Sequence, residues 1–228
     1  MTEKKNSPLS EIIFNVIVPS VILMKFSGEQ GLGAVGALLV ALAFPIAFGG
    51  YELIRYKKYN FISLLGIVSV LMTGGIGLLE LDNKWLAIKE AFIPGVIGLV
   101  VLGSSFTRYP IVKKMILNDT VLNLETIKTR LSEVNKEAEF DRCLTVSNYL
   151  FASTFVFSSV MNYVLAKMIV TSPTGTEAFN EELGRLTLLS YPMIAIPSML
   201  MMFGIFYFVW RQIRSMTQLE TSQIFNAK

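Results

Sequence analysis

Apolar residues fall in long blocks along this chain, and polar residues collect between them. Six blocks approach or exceed the roughly 20 residues that an α-helix needs to cross a bilayer. They are Leu9–Phe26, Leu32–Leu53, Phe61–Leu81, Leu86–Ser105, Cys143–Val170 and Leu186–Trp210. The pattern predicts an all-α protein, an integral membrane bundle of six transmembrane helices. Residues 1–8 would form an N-terminal tail, 9–215 the membrane domain and 216–228 a C-terminal tail. Lys4 and Lys5 supply a basic start like that of a signal peptide. Pro19 interrupts the apolar run, however, and no small-residue cleavage site follows, so the first span is expected to be retained.

The connecting segments are short except for residues 118–141. There Leu124, Ile127, Leu131, Val134 and Ala138 recur at steps of three and four, the stripe of an amphipathic helix. The polar face sets Asp119, Glu125, Glu133, Glu137, Glu139 and Asp141 against Lys128, Arg130 and Lys136. Anionic lipid would not be drawn to so acidic a face. The helix is expected either to pack beneath the bundle as a linker, or to present Leu124, Ile127, Leu131 and Val134 to a protein partner.

Cationic residues set the orientation, because Lys and Arg accumulate in cytoplasmic loops. Of the 20 Lys and Arg residues, only Lys25, Lys84, Lys89, Lys167 and Arg185 fall on one side. All the others fall on the opposite side, with both termini. Both termini are therefore expected in the cytoplasm, and a bacterial inner (plasma) membrane is the expected location. Trp85 at an outer end, and Tyr51, Tyr56, Tyr109, Tyr207 and Trp210 at inner ends, suit the headgroup level.

Composition narrows the chemistry. The chain has 228 residues, of which 53% are hydrophobic and 16% charged, against about a quarter charged in a soluble domain. That leaves too little polar surface to cover a soluble globule. A net charge of +3, arising mostly from loops, makes nucleic acid a poor partner and membrane lipids the natural one. The single cysteine, Cys143, cannot form an internal disulfide or redox pair. The lack of histidine removes the usual general base and the commonest metal ligand. With no phosphate loop, nucleophile elbow or metal-spaced cluster, neither an enzyme nor a cofactor or metal site is expected.

Polar residues inside the spans are the remaining candidates, since each must find a partner or an interface position. Helix bends are expected at Pro19, Pro45, Pro94, Pro192 and Pro197. Asn15 and Glu90 each precede a proline by one turn, where the ring leaves a backbone carbonyl without its donor. Asn15, Lys89, Glu90, Asn148, Asn162 and Ser190 could line a small polar pocket, or could instead satisfy one another between helices. The stretches Asn15-Val-Ile-Val-Pro19-Ser-Val-Ile and Glu90-Ala-Phe-Ile-Pro94-Gly-Val-Ile are alike and lie three spans apart. Such spacing would relate two triplets of spans as an inverted repeat.

Several short motifs then carry a resemblance. Trp85-x-x-x-Lys89 opens the fourth block, Ser104–Ser105 ends it, and Pro110-Ile111-Val112 leads to Met115. Phe157-x-x-x-x-Asn162-Tyr163-Val164 lies in the fifth block, and Phe179 is followed by Gly184-x-x-Thr187. In this order the chain resembles the intracellular septation protein A family, multi-spanning proteins of the bacterial inner membrane. It departs in its greater length, its longer connection between blocks four and five, Glu90, and the prolines of block six. The resemblance implies a divergent relative that supports cell-envelope integrity or septation through contacts with envelope or division proteins, without a cofactor. The residues alone leave open a small transporter or lipid translocator, with its polar pocket between proline-bent helices one and four.

Overall fold

The computed structural model describes residues 12–56, 61–107, 110–117 and 122–225, with the helical backbone alone for 52–56 and 61–67. The tail 1–8, the start of the first block and several loop cations, among them Lys57, Lys58 and Arg108, lie outside the described residues. So does the beginning of the 118–141 segment. Among the described residues the protein is helical, with a single isolated β-bridge between Leu122 and Phe225. We name the helices α1 (Ile13–Lys25), α2 (Gly33–Tyr56), α3 (Phe61–Leu78) and α4 (Lys84–Ser104). They continue as α5 (Ile111–Ile116), α6 (Leu124–Glu133), α7 (Glu137–Ile169), α8 (Glu177–Thr217) and α9 (Thr221–Ile224).

Four of these are long and apolar enough to cross a bilayer: α2 over Gly33–Tyr51, α4, α7 and α8. α1 and the Val68–Leu78 part of α3 are shorter apolar helices. No more than 28% of the apolar window of any of the four is buried in the protein. Such faces call for an apolar surrounding, of the kind that a bilayer provides. The 33 residues of α7 extend about 50 Å, well beyond a hydrocarbon core of about 30 Å. Its charged first turns, with Glu137, Glu139, Asp141 and Arg142, are the part that can project.

The prolines act in different ways. Pro45 and Pro94 sit within regular helix in α2 and α4. Pro19 follows a π-turn over Ile13–Ile17, where the Val18 N–H reaches back five residues to the Ile13 carbonyl. Pro192 lies in a second π-turn, Tyr191–Ala195, and Pro197 in the first turn of regular helix after it. A widened turn accommodates a ring that would clash with the preceding carbonyl.

The 118–141 segment differs from expectation. One amphipathic helix is replaced by α6 and the first turns of α7, separated at Asn135. Asn123 caps α6 by accepting from the Thr126 N–H at 3.2 Å. At the other end Asn135 adopts φ 54°. The Lys136 N–H donates to the Leu131 carbonyl at 2.9 Å and the Asn135 N–H to that of Ser132 at 3.1 Å. That is the paired closure of a helix on a left-handed residue, a conformation asparagine tolerates.

The chain divides into two compact units, Met1–Ile93 with Val160–Ala195, and Pro94–Ser159 with Ile196–Lys228. The core of the first gathers Leu23, Leu38, Leu86, Phe179, Leu183 and Ile194. Close approach depends on small residues there. A methyl group on Gly77 would lie 2.6 Å from Leu38, and one on Gly184 2.8 Å from the Ser20 carbonyl oxygen. Ala37 and Ala41 are buried as a packing ridge should be. Gly33, at the start of the same helix, supplies a turn at φ 69°. The core of the second unit gathers Val112, Leu131, Leu144, Phe151, Val209 and Ile213.

Candidate functional site

In the first unit the strongest polar feature is Lys89 on α4, a lysine only 4% exposed. Its ammonium has three donors, and three acceptors meet it. Thr73 Oγ1 lies at 2.7 Å, Ser69 Oγ at 3.3 Å and Glu90 Oε1 at 2.6 Å. Ser69 and Thr73 are one helical turn apart on α3, so both hydroxyls lie on one side of it. The Thr73 hydroxyl itself donates to the Ser69 carbonyl at 3.0 Å. Glu90 is about a quarter exposed, so the pair is buried at its cation and open at its anion. Beside it lies an apolar cavity of about 400 Å³, lined by Met72, Ile76, Trp85, Ile88, Lys89 and Phe92 among others.

The same unit has two further polar ties. The Asn180 side chain, fully buried on α8, donates to Ala34 O at 2.7 Å and Ser27 Oγ at 3.0 Å, fixing the turn between α1 and α2. Glu182 accepts from the N–H and hydroxyl of both Thr171 and Ser172, at 2.8–3.1 Å. This closes the segment that leaves α7.

The second unit is held differently. Asn148, with no exposed surface, donates to Val101 O at 2.7 Å, Ser105 Oγ at 2.7 Å and Ser104 Oγ at 3.1 Å. Its carbonyl accepts from the Val112 N–H at 3.0 Å. Ser104 in turn accepts from the Ile111 N–H at 3.1 Å. One amide therefore holds the end of α4 against the start of α5. The first-turn N–H groups that a helix leaves without partners are satisfied by side chains.

These positions redistribute the pocket expected from sequence. Lys89 and Glu90 are brought together. Asn148 belongs to the second unit and its own network. Asn15 is half-buried on the π-turn of α1, and Ser190 donates back to the Leu186 carbonyl at 2.8 Å. Asn162 is half-buried on α7 and has an interaction of its own. Asn180 and the hydroxyls of Ser69 and Thr73 were not singled out in the sequence. The only signal for the latter was a pair of hydroxyl residues four apart in an apolar block.

The partner-facing reading of residues 118–141 is corrected. Leu124, Ile127 and Leu131 are 8%, 1% and 2% exposed, packed in the core with Val112, Phe140 and Ile213. Val134 is half-buried at the end of α6. The stripe serves the protein's own interior, which removes it as a docking face. Cys143 is buried as well. Among the described residues, no group of three His, Cys, Asp or Glu side chains could hold a metal ion. Comparison of the chain with protein-family models, with curated proteins and with solved structures finds no match.

Proposed function

We propose that this chain is a non-enzymatic protein of the bacterial inner membrane, a divergent relative of the intracellular septation protein A family. It would cross the membrane six times with both termini in the cytoplasm, and support envelope integrity or septation through contacts with envelope or division proteins. The observation that carries this reading is the condition of Lys89: two of its donors tie α4 to α3 through Thr73 and Ser69, and the third is held by Glu90 beside it on α4. A buried cation so fully engaged supports a fixed framework more than a passage for solute. With the α6 stripe buried, the contacts fall to the outward apolar faces of the spans, where Leu99 and Phe92 are largely exposed.

A second reading, a small transporter or lipid translocator built from inverted triplets, draws support from the cavity beside Lys89 and the partial exposure of Glu90. One experiment separates the two. In a deletion strain with an envelope or cell-shape defect, the double substitution Lys89→Met with Glu90→Gln should restore function if the protein is a framework. Loss of function despite normal accumulation would overturn that reading in favour of a charge-dependent passage. Reporter fusions after Gly31, Asn83 and Pro173 should report the outer side, and a fusion after Ser132 the cytoplasm. Any reversal refutes the six-pass topology.

A further inference from the structure

The second unit contains two adjoining cavities that the proposed function leaves unused. One, of about 420 Å³, is lined by Met115, Leu122, Phe203, Phe206, Trp210 and Phe225 among other apolar residues. The other, of about 640 Å³, is lined by Pro110, Ile111, Leu124 and the lysines Lys113, Lys114 and Lys128, among others. Met115 borders both, so a cationic compartment opens beside an apolar one. The C-terminal segment helps to build the apolar part. The Asn123 N–H donates to the Ile224 carbonyl at 2.9 Å, and Leu122 bridges to Phe225.

Two further observations concern what would fit there. Trp210 lines the apolar cavity, and its indole Nε1 is buried with no acceptor among the described residues, an unusual condition for a buried donor. Among the described residues the charge of the rim is also unbalanced. Lys113 pairs with Asp141 at 2.8 Å, while Lys114 and Lys128 are exposed and have no acidic partner among the described residues. Glu125, three positions before Lys128 on α6, is exposed and is the nearest acid along that helix. On the other side the Arg214 guanidinium lies 5.8 Å from the centre of the Trp210 ring. Lys128 of α6 thus joins the lysines of α5 around one cavity.

We infer that this compartment binds one anionic phospholipid. The phosphate is met by Lys114 and Lys128, an acyl chain enters the apolar cavity, and the Trp210 N–H donates to a headgroup or ester oxygen. A cationic rim beside an apolar, aromatic cavity matches the two ends of such a molecule, and aromatic residues favour that depth. A soluble anion would leave the larger part of the apolar surface without an occupant. Such a site presupposes the membrane placement proposed above.

The test is native mass spectrometry of the full chain released from nanodiscs of equal dioleoyl-phosphatidylglycerol and dioleoyl-phosphatidylethanolamine. The wild type should retain the anionic phosphatidylglycerol in preference. Lys114→Gln with Lys128→Gln should cut that preference about tenfold while leaving the helical circular dichroism unchanged. Trp210→Phe, which keeps an aromatic ring and removes the donor, should shorten retention a few-fold on the scale of about one hydrogen bond. Equal retention of both lipids by the wild type, or unchanged preference in both variants, overturns the site. A variant-sensitive dimer that retains no lipid also overturns it, in favour of self-association. Extraction from membranes by alkaline carbonate would instead refute the membrane placement itself, and the site with it.

Discussion

The first unit holds a charge among its helices, whereas the second is tied inside by a neutral amide and keeps its charges at the rim. Both solve one problem, joining helices where apolar burial gives little drive because lipid is as apolar as leucine. Lys89 does so with two hydrogen bonds to hydroxyls of α3, while the neighbouring Glu90 carboxylate balances its charge. Asn148 does so with an amide that spans two backbone groups and two serines. The difference lies in what happens when a partner is lost. An amide that loses a neighbour leaves a dipole unpaired, but an ammonium that is lost leaves a partly buried carboxylate without its counter-charge.

That contrast is tested most severely at Lys89. Lys89→Ala removes the cation from Glu90 and the donor from Ser69 and Thr73. Because Glu90 is partly open, the expected cost lies at the low end of the range for breaking a buried pair, about 3 kcal/mol. Adding Glu90→Gln to Lys89→Met should recover most of it, since both charges then leave together. Unfolding in mixed micelles measures both variants. A single variant no worse than the double one would show that the pair carries no special electrostatic weight.

Asn148→Leu should cost less, about 2 kcal/mol, by removing the acceptor of the Val112 N–H and the donor to Ser105 Oγ, while Ser104 keeps its bonds to Val101 and Ile111. Its local sign should be faster tryptic cleavage after Lys113 and Lys114, because the start of α5 is no longer held to α4. Lys89→Ala should leave that cleavage rate unchanged when compared at equal fractions folded. Equal acceleration by both variants would break the comparison, since the two ties would then not be separate.

Much of the helical plan could be read from the chain because lipid enforces it: an apolar run must be helical or leave its peptide groups unpaired. The apolar blocks over Leu32–Leu53, Leu86–Ser105, Cys143–Val170 and Leu186–Trp210 correspond to α2, α4, α7 and α8. The stripe of Leu124, Ile127 and Leu131 was readable as a buried face, but its destination was not, because periodicity says that a face is covered and not by what. The break at Asn135 was obscured for another reason. Its neighbours continue the apolar spacing, and only the left-handed backbone, which asparagine permits without announcing, ends the helix. Lys89 and Glu90 were evident as charges within a span. Their mutual pairing was not, since adjacent residues on a helix diverge by about 100° and only flexible side chains bring them together. Asn148 and Asn180 were both ordinary polar residues in sequence. Their roles depend on which turn each one meets.

The smallest effect is expected where the first unit carries a charge pair outside its core. Asp82 accepts from the Lys84 N–H at 2.8 Å and pairs with the Lys84 ammonium at 3.3 Å, both side chains being more than half exposed. The Lys84 backbone N–H, first, and then its side chain hold the Asp82 carboxyl below the ordinary carboxylate value of 3.8. A group whose folded value is depressed contributes stability that is present above the unfolded value and lost as pH falls through the folded one. Asp82→Asn should therefore lower the melting temperature slightly at neutral pH. The gap to the wild type should close as the pH drops below 3.8. Water and salt screen such an exposed pair, so added salt should narrow the gap at neutral pH too. Melting curves across that range in one detergent measure this directly. A gap that widened on acidification would mean that the charged form of Asp82 is disfavoured in the fold, contrary to its hydrogen bond with Lys84. A gap untouched by acid or salt would place the effect in the geometry of the cap, which asparagine shares only in part, and not in its charge.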